Sequence, residues 1–319
     1  MLPSCMNENS EIICWLLDGD VSIQYQANRD LLIASKKELE LLQSRIPVEG
    51  WCKNFLSKQS AETGMWGRGV YSPKWISTHY TLLDLKNLCI PQTNKQYIEG
   101  AKILLDRLWY NTVGVAKKRM QDVCVCGMML SICSYAKIKS PRINEIIDYI
   151  IAHHLPDGGW NCRWQKGDKK SSVHTTLTIL ECIRDLELYG YTYRADELNM
   201  QKKMAQEFLL KRNLYKSLST GETIKPQFLL MPYPCRWKYD ILRALDYFQS
   251  VNAPYDKRMQ DAIDIIVSKR RKNGRWRVNH RYGGLVHFDM EKEVQDSRWN
   301  TLRVLRVLKK YCLNYDSYD

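Results

Sequence analysis

Three similar stretches decide the fold: Gln59-Ser-Ala-Glu-Thr-Gly64-Met-Trp66, His154-Leu-Pro-Asp157-Gly-Gly159-Trp160 and Arg271-Lys-Asn273-Gly274-Arg-Trp276. We call them the glycine–tryptophan phrases. Each phrase follows one segment with helical hydrophobic periodicity and precedes another. Such a recurring phrase is typical of an array of helix pairs.

Weaker copies fill the gaps between these phrases. The three tryptophans are about 94 and about 116 residues apart, roughly twice a repeat period of ~50 residues. Turn-rich stretches without the tryptophan occur at Asn111-Thr-Val-Gly114 and at Ser219-Thr-Gly221. Trp15-Leu-Leu-Asp18-Gly19-Asp20 plays the same part near the N-terminus. The sequence therefore predicts six helix pairs.

The two helices of a pair differ in character. The first shows a one-sided apolar stripe, as in Ile143, Ile146, Ile147 and Ile150. The second mixes apolar residues with Trp, His, Asp and Arg, which indicates a face lining a cavity. Wrapping one layer with the other buries both, and an open solenoid would need polar terminal caps that the chain lacks. We expect an all-α fold, a single α/α toroid spanning residues 1–319.

Composition narrows the class of protein. The chain has 319 residues, 45% of them apolar, and a formal charge of +13, so it can bury a large core and attract anions. Its apolar runs are too short for a membrane span, and its start lacks the pattern of a secretory signal. Eleven irregularly spaced cysteines favour free thiols and a cytoplasmic location.

The densest basic cluster, Lys269-Arg270-Arg271-Lys272, coincides with the third phrase. Cations at the end of a helix interact favourably with the helix dipole. We therefore expect a solvated helix end here and no specific nucleic-acid partner.

The phrases resemble a known family. Gln59-x-x-x-x-Gly64-x-Trp66 is similar to the QW repeat of squalene and oxidosqualene cyclases. Ser172-Val-His-Thr-Thr and Trp75-Ile-Ser-Thr-His resemble the same superfamily, which includes the β-subunits of protein prenyltransferases. The resemblance covers nearly the whole chain and implies a single-domain, bacterial-type α/α toroid with an aromatic-lined cavity for isoprenoids. A scaffold does not determine a reaction.

The catalytic motifs of that superfamily are incomplete. Cyclases protonate substrate with Asp-x-Asp-Asp, whereas the chain has only Asp18-Gly19-Asp20, where Asp20 also suits a helix cap. The metal-binding Asp-Asp-x-x-Asp string does not occur. Prenyltransferases bind zinc through Asp, Cys and His, and His174, Cys235 and Asp296 match only in residue type. We predict no metal and no cofactor, and the sequence leaves enzymatic activity undecided.

Candidate ligand-binding residues lie near the start of the second helices of the pairs. Their arginines could hold a diphosphate or carboxylate, or pair instead with Asp84 and Asp240. Their indoles could contact an apolar chain or pack between layers. The predicted substrate-binding residues are Trp75, Arg236, Trp237, Arg243, Arg298, Trp299 and Arg303. The candidates for acid–base chemistry are His79, His174, Asp240 and Asp20.

These observations predict a toroid that binds an isoprenoid or another amphiphile with an anionic head. Two alternatives stay open: a carbohydrate-active α/α barrel, since such barrels process sugars with an acid pair, and a non-catalytic module that binds a protein partner. Peripheral membrane association also stays open.

Overall fold

The computed structural model describes residues 8–109 and 122–311, which form thirteen α-helices and no β-strand. The all-α class is therefore confirmed. The helices are α1 (Glu8–Leu17), α2 (Val21–Ala27), α3 (Lys36–Arg45), α4 (Gly50–Leu56), α5 (Thr78–Asn87), α6 (Lys95–Leu104), α7 (Val123–Tyr135), α8 (Pro141–Ala152), α9 (Val173–Leu188), α10 (Ala195–Leu210), α11 (Ile241–Ser250), α12 (Gln260–Ser268) and α13 (Arg298–Tyr311).

Local signals explain the helices, as α8 illustrates. The Ser140 hydroxyl accepts a hydrogen bond from the backbone N–H of Arg142, and Pro141 occupies the first helical position, where a missing N–H costs little. The apolar stripe that follows is buried at Ile143, Ile146, Ile147 and Ile150. One face of α8 thus packs inward, as its periodicity predicts.

Six helices contact one another in turn. α5 contacts α7, α7 contacts α9, α9 contacts α11, α11 contacts α13, and α13 contacts α2. The Gln26 amide in α2 donates to the backbone carbonyl of Asn87 at the end of α5, at 2.9 Å. We call α2, α5, α7, α9, α11 and α13 the cavity helices, because they supply most of the cavity lining described below. The remaining helices, which we call the flanking helices, pack against them.

The tryptophans of the three phrases tie each phrase to the helix before it. All three are at most 1% exposed. Each indole N–H donates to a backbone carbonyl in the last turns of that helix. The pairs are Trp66 with Phe55 at 2.7 Å, Trp160 with Ile150 at 2.8 Å, and Trp276 with Ile266 at 2.6 Å.

The same tryptophans are bound to the following helix through their backbones. Each backbone N–H donates to a threonine hydroxyl in the first turn of a cavity helix. The acceptors are Thr78 for Trp66 at 3.0 Å, Thr176 for Trp160 at 3.1 Å, and Thr301 for Trp276 at 3.0 Å. The repeated unit of sequence is therefore a structural joint between a flanking helix and a cavity helix.

The weaker copies differ in how the joint is made. After α10 the chain turns at Ser217–Gly221, where Gly221 has a φ of 72° that glycine adopts without strain. Here the buried Tyr239 hydroxyl donates to the carbonyl of Leu214, in place of an indole N–H. The predicted copy at Asn111–Gly114 lies outside the described residues.

Two helix starts are later than their sequence predicts. Trp75 lies in a short 3₁₀ turn, Lys74–Ile76, and α5 begins at Thr78. Arg236 and Trp237 precede α11, because Asp240 caps that helix by accepting a hydrogen bond from the backbone N–H of Arg243 at 2.8 Å. These side chains therefore project from connecting segments.

Other sequence expectations concern thiols and membranes. The nine cysteines among the described residues are free thiols. Within the same residues, each helix is too short or too polar to cross a bilayer.

Candidate functional site

A cavity of about 1170 Å³ lies between the cavity helices. Its walls come mainly from the later turns of these helices. They include Tyr25 and Gln26 of α2, Asp84 and Lys86 of α5, Met128 and Ser131 of α7, Glu181 and Asp185 of α9, Arg243 and Asp246 of α11, and Arg303 and Arg306 of α13. The volume slightly exceeds the usual range for small-molecule sites.

Positive charge dominates this cavity. Among residues 8–109 and 122–311, nine basic side chains and five carboxylates line it. The basic residues are Arg29, Lys86, Arg184, Arg236, Arg243, Arg303, Arg306, Lys309 and Lys310, and the acidic residues are Asp30, Asp84, Glu181, Asp185 and Asp246. A concave surface with an excess of one charge concentrates ions of the opposite sign.

Two ion pairs in the cavity wall converge on Asp185. Its carboxylate lies 2.6 Å from Lys86 Nζ and 2.8 Å from an Arg184 guanidinium nitrogen. Burial raises the pKa of Asp185, but the charges of Arg184 and Lys86 outweigh burial and hold that pKa below its usual value. Asp185 is therefore ionised at neutral pH.

The other lining carboxylates also accept hydrogen bonds from arginines. Arg243 Nε lies 2.9 Å from Glu181, and Arg303 Nε lies 3.1 Å from Asp246. Arg306 binds Asp30 at 2.7 Å, and the charge of Arg306 helps to hold the pKa of Asp30 low against burial. These pairs fix the arginine side chains in the wall.

Two lysines near the end of α13 have neutral acceptors. Lys309 Nζ donates to the carbonyls of Asp30 and Leu31, at 2.8 and 3.0 Å, and Lys310 Nζ donates to the side-chain oxygen of Asn252. Among the described residues, these two charges are the least compensated in the lining. They are the best placed to meet an incoming anion.

Part of the wall is aromatic. Tyr25, Tyr135, Tyr189 and Tyr247 line the cavity together with Trp299. Trp299 stacks on Tyr233, with ring centroids 5.2 Å apart. Tyrosine offers an apolar ring and a polar tip, so this surface can contact an apolar group without being uniformly hydrophobic.

Four of the seven predicted ligand-binding residues line the cavity: Arg236, Arg243, Trp299 and Arg303. Arg236 forms a buried ion pair with Asp84, and its guanidinium lies 5.4 Å from the ring centre of Trp75. Burial raises the pKa of Asp84, while the Arg236 charge opposes this rise. The structure thus favours the pairing of arginines with carboxylates that the sequence left as an alternative.

The other three lie elsewhere. Trp75 donates its indole N–H to the carbonyl of Gly283 at 2.6 Å, and Trp237 packs edge-on against His174. Arg298 Nε donates to the carbonyl of Trp15 at 2.9 Å, and its guanidinium lies over that indole. Arg236 and Arg298 therefore have different partners, and only Arg236 lines the cavity.

Neither candidate histidine lines the cavity, and His174 is only half-buried. His79 is fully buried, burial lowers its pKa to about 3, and neither ring nitrogen has a hydrogen-bond partner among the described residues. His174 Nδ1 accepts a hydrogen bond from the backbone N–H of Tyr239 at 2.8 Å. Burial, aided by nearby cations, lowers the pKa of His174 to about 3 as well. Both rings are neutral at pH 7.

The two candidate aspartates cap helices. Asp20 accepts backbone N–H groups from Ser22 at 2.8 Å and Trp51 at 2.7 Å, joining the start of α2 to α4. Burial raises the pKa of Asp20 and raises that of Asp240 to about 6. Neither carboxylate is part of the cavity lining.

The three residues considered as zinc ligands each contact a different partner. His174 binds the backbone of Tyr239, Cys235 receives a weak hydrogen bond from Arg303, and Asp296 binds Arg271 and Asn273. Across residues 8–109 and 122–311, no group of three or more His, Cys, Asp or Glu side chains is arranged to hold a metal ion.

Sequence reasoning missed the later turns of the cavity helices. It considered the helix openings, whereas Glu181 and Asp185 in α9 and Arg306 and Lys310 in α13 lie about two to three turns further along. The signal was available: Trp299, Arg303, Arg306 and Lys310 recur every three or four residues. Such spacing places polar side chains on one helical face.

Two comparisons of the sequence with known proteins identify no relative. No family model matches the chain, and no curated protein sequence matches it. The resemblance to squalene cyclases and prenyltransferase β-subunits rests on the motifs quoted above.

Proposed function

We propose that the helices form a closed α/α toroid of six pairs whose central cavity binds an amphiphile with a polyanionic head, such as a prenyl diphosphate. The order of contacts supports closure, because it runs from α5 through α13 to α2 and returns by the Gln26–Asn87 hydrogen bond. The three tryptophan joints support the pairing of a flanking helix with three of the cavity helices, α5, α9 and α13.

The net positive charge of the cavity lining is the main support for anion binding. Nine basic side chains face five carboxylates around a space of about 1170 Å³. The lining comes from the later turns of the cavity helices, where backbone carbonyls carry partial negative charge. Side-chain cations must therefore hold the anion, and Lys309 and Lys310 are the first candidates.

The aromatic wall supports an organic ligand rather than a bare inorganic anion. Tyr25, Tyr135, Tyr189 and Tyr247 offer ring surface beside the charged groups. A short isoprenoid chain on this surface would add hydrophobic contact area to the ionic contacts of the head. Both parts of the ligand then have complementary surfaces in one cavity.

We assign ligand binding to this cavity and no reaction. The chain lacks the complete acid motif of the cyclases and the Asp-x-Cys pair of the prenyltransferases. A glycosidase needs a carboxylic acid free to donate a proton. Among the described residues, all five lining carboxylates instead form ion pairs with Lys or Arg, which favours anion binding over the carbohydrate alternative.

Isothermal calorimetry with three ligands tests this function. We expect farnesyl diphosphate to bind more tightly than farnesol, because only the diphosphate meets the cations, and more tightly than inorganic pyrophosphate, because only the isoprenoid meets the aromatic wall. Equal binding of farnesyl diphosphate and farnesol would refute the anionic-head requirement. Equal binding of farnesyl diphosphate and pyrophosphate would refute the amphiphile.

A further inference from the structure

Two cysteines lie side by side outside the cavity lining. The backbone N–H of Cys124 donates to Cys162 Sγ at 3.0 Å, and the Thr175 hydroxyl donates to the same sulfur at 3.5 Å. The two thiols are also within hydrogen-bond reach of each other. Both residues are half-buried.

The Cys162 sulfur meets the N-terminal turns of two helices. Cys124 is the second residue of α7, which has 13 residues, and Thr175 is the third residue of α9, which has 16. A helix N-terminus carries partial positive charge and favours a nearby anion. Two helix N-termini and two hydrogen-bond donors at one sulfur favour a thiolate there.

The thiols of this pair respond differently to their contact. The Cys124 side chain lowers the pKa of Cys162, and the backbone N–H of Cys124 and the Thr175 hydroxyl lower it further, against the effect of burial. The same contact, together with burial, raises the pKa of Cys124. By contrast, burial raises the pKa of the other shifted cysteines among the described residues, which are Cys52, Cys126, Cys133, Cys182 and Cys235.

We propose that Cys162 and Cys124 form a peroxide-reactive dithiol, with Cys162 as the attacking sulfur and Cys124 as the resolving sulfur. The Cys162 thiolate attacks one oxygen of a hydroperoxide, the O–O bond breaks, and the leaving alkoxide or hydroxide takes a proton. The Cys124 thiol then attacks the resulting sulfenic acid, forming the S–S bond and releasing water. The two thiols lose two electrons, which the peroxide gains, and an external thiol restores them.

Peptide mapping of the oxidised full-length chain tests this proposal. The reduced protein is treated with about one equivalent of hydrogen peroxide, alkylated, digested and analysed by mass spectrometry. We expect a Cys124–Cys162 disulfide, with a mass loss of about 2 Da. The exposed Cys14 is the internal control and is expected to stay reduced.

Two variants separate the roles. In Cys124→Ser we expect a sulfenic acid at Cys162 that dimedone traps, because no resolving thiol remains. In Cys162→Ser we expect loss of both the disulfide and the dimedone adduct. Oxidation of Cys14 before Cys162, or a Cys162 that stays reduced in the wild-type chain, would overturn the proposal. The wild-type map decides the question even if a variant folds poorly.

Discussion

Lys86 and Asp185 connect α5 to α9 across the wall of the cavity, with 2.6 Å between Nζ and Oδ2. Their side chains are only 9% and 2% exposed. Arg184 supplies a second cation to the same carboxylate. Asp185 therefore balances two cationic groups deep in the wall, and its loss leaves both without their shared carboxylate partner.

The first prediction concerns this charge balance. Asp185→Asn should lower the free energy of unfolding by about 3–5 kcal/mol, the range for removing one partner of a buried ion pair. Lys86→Met should cost less, because Arg184 still pairs with the carboxylate. Urea unfolding of both variants measures the difference. A larger loss for Lys86→Met would contradict this account of Asp185.

The second prediction concerns the tryptophan joints. Trp160→Ala should cost about 3–5 kcal/mol of unfolding free energy, since it empties a fully buried site. Thr176→Val removes only the hydroxyl that accepts the Trp160 backbone N–H and should cost about 1–3 kcal/mol. Denaturant midpoints report both values. A midpoint for Trp160→Ala close to that of the wild type would mean that the joint does not hold the helices.

The joints were predictable from sequence because each is local. Ile150 and Thr176, the partners of Trp160, lie 10 and 16 residues from it along the chain. The cavity was harder to predict, because Arg236 pairs with Asp84 across 152 residues. No pattern within one helix reveals such a partner. The sequence therefore identified the arginines, but it did not decide whether carboxylates such as Asp84 pair with them.

The third prediction concerns acid stability. The folded-state pKa of His79, about 3, lies below the value of about 6.5 for an exposed histidine, so the unfolded chain binds the proton more readily. The stabilisation is complete above pH 6.5 and is lost as pH falls toward 3. Between pH 7 and pH 5, this histidine should lower the unfolding free energy of the wild type by about 2 kcal/mol. His79→Phe should abolish that part of the fall.

Urea unfolding at both pH values measures this loss. An unaltered pH dependence in His79→Phe would show that this ring does not stay neutral in the fold.

The last prediction joins the charge of the cavity to its proposed ligand. Lys309→Met and Lys310→Met each remove a cation whose described acceptors are neutral, so neither variant breaks an observed ion pair. Each change should weaken the binding of farnesyl diphosphate roughly tenfold, about 1.4 kcal/mol for one lost charge-assisted contact. Lys36→Met is the control, because Lys36 is 91% exposed on α3, outside the cavity lining.

Calorimetry at 0.05 M and 0.5 M salt, concentrations at which screening lengths differ by about threefold, adds a second criterion. The affinity should fall with salt, and it should fall less steeply in the two cavity variants than in Lys36→Met. If all three variants bind like the wild type, Lys309 and Lys310 do not contact the ligand.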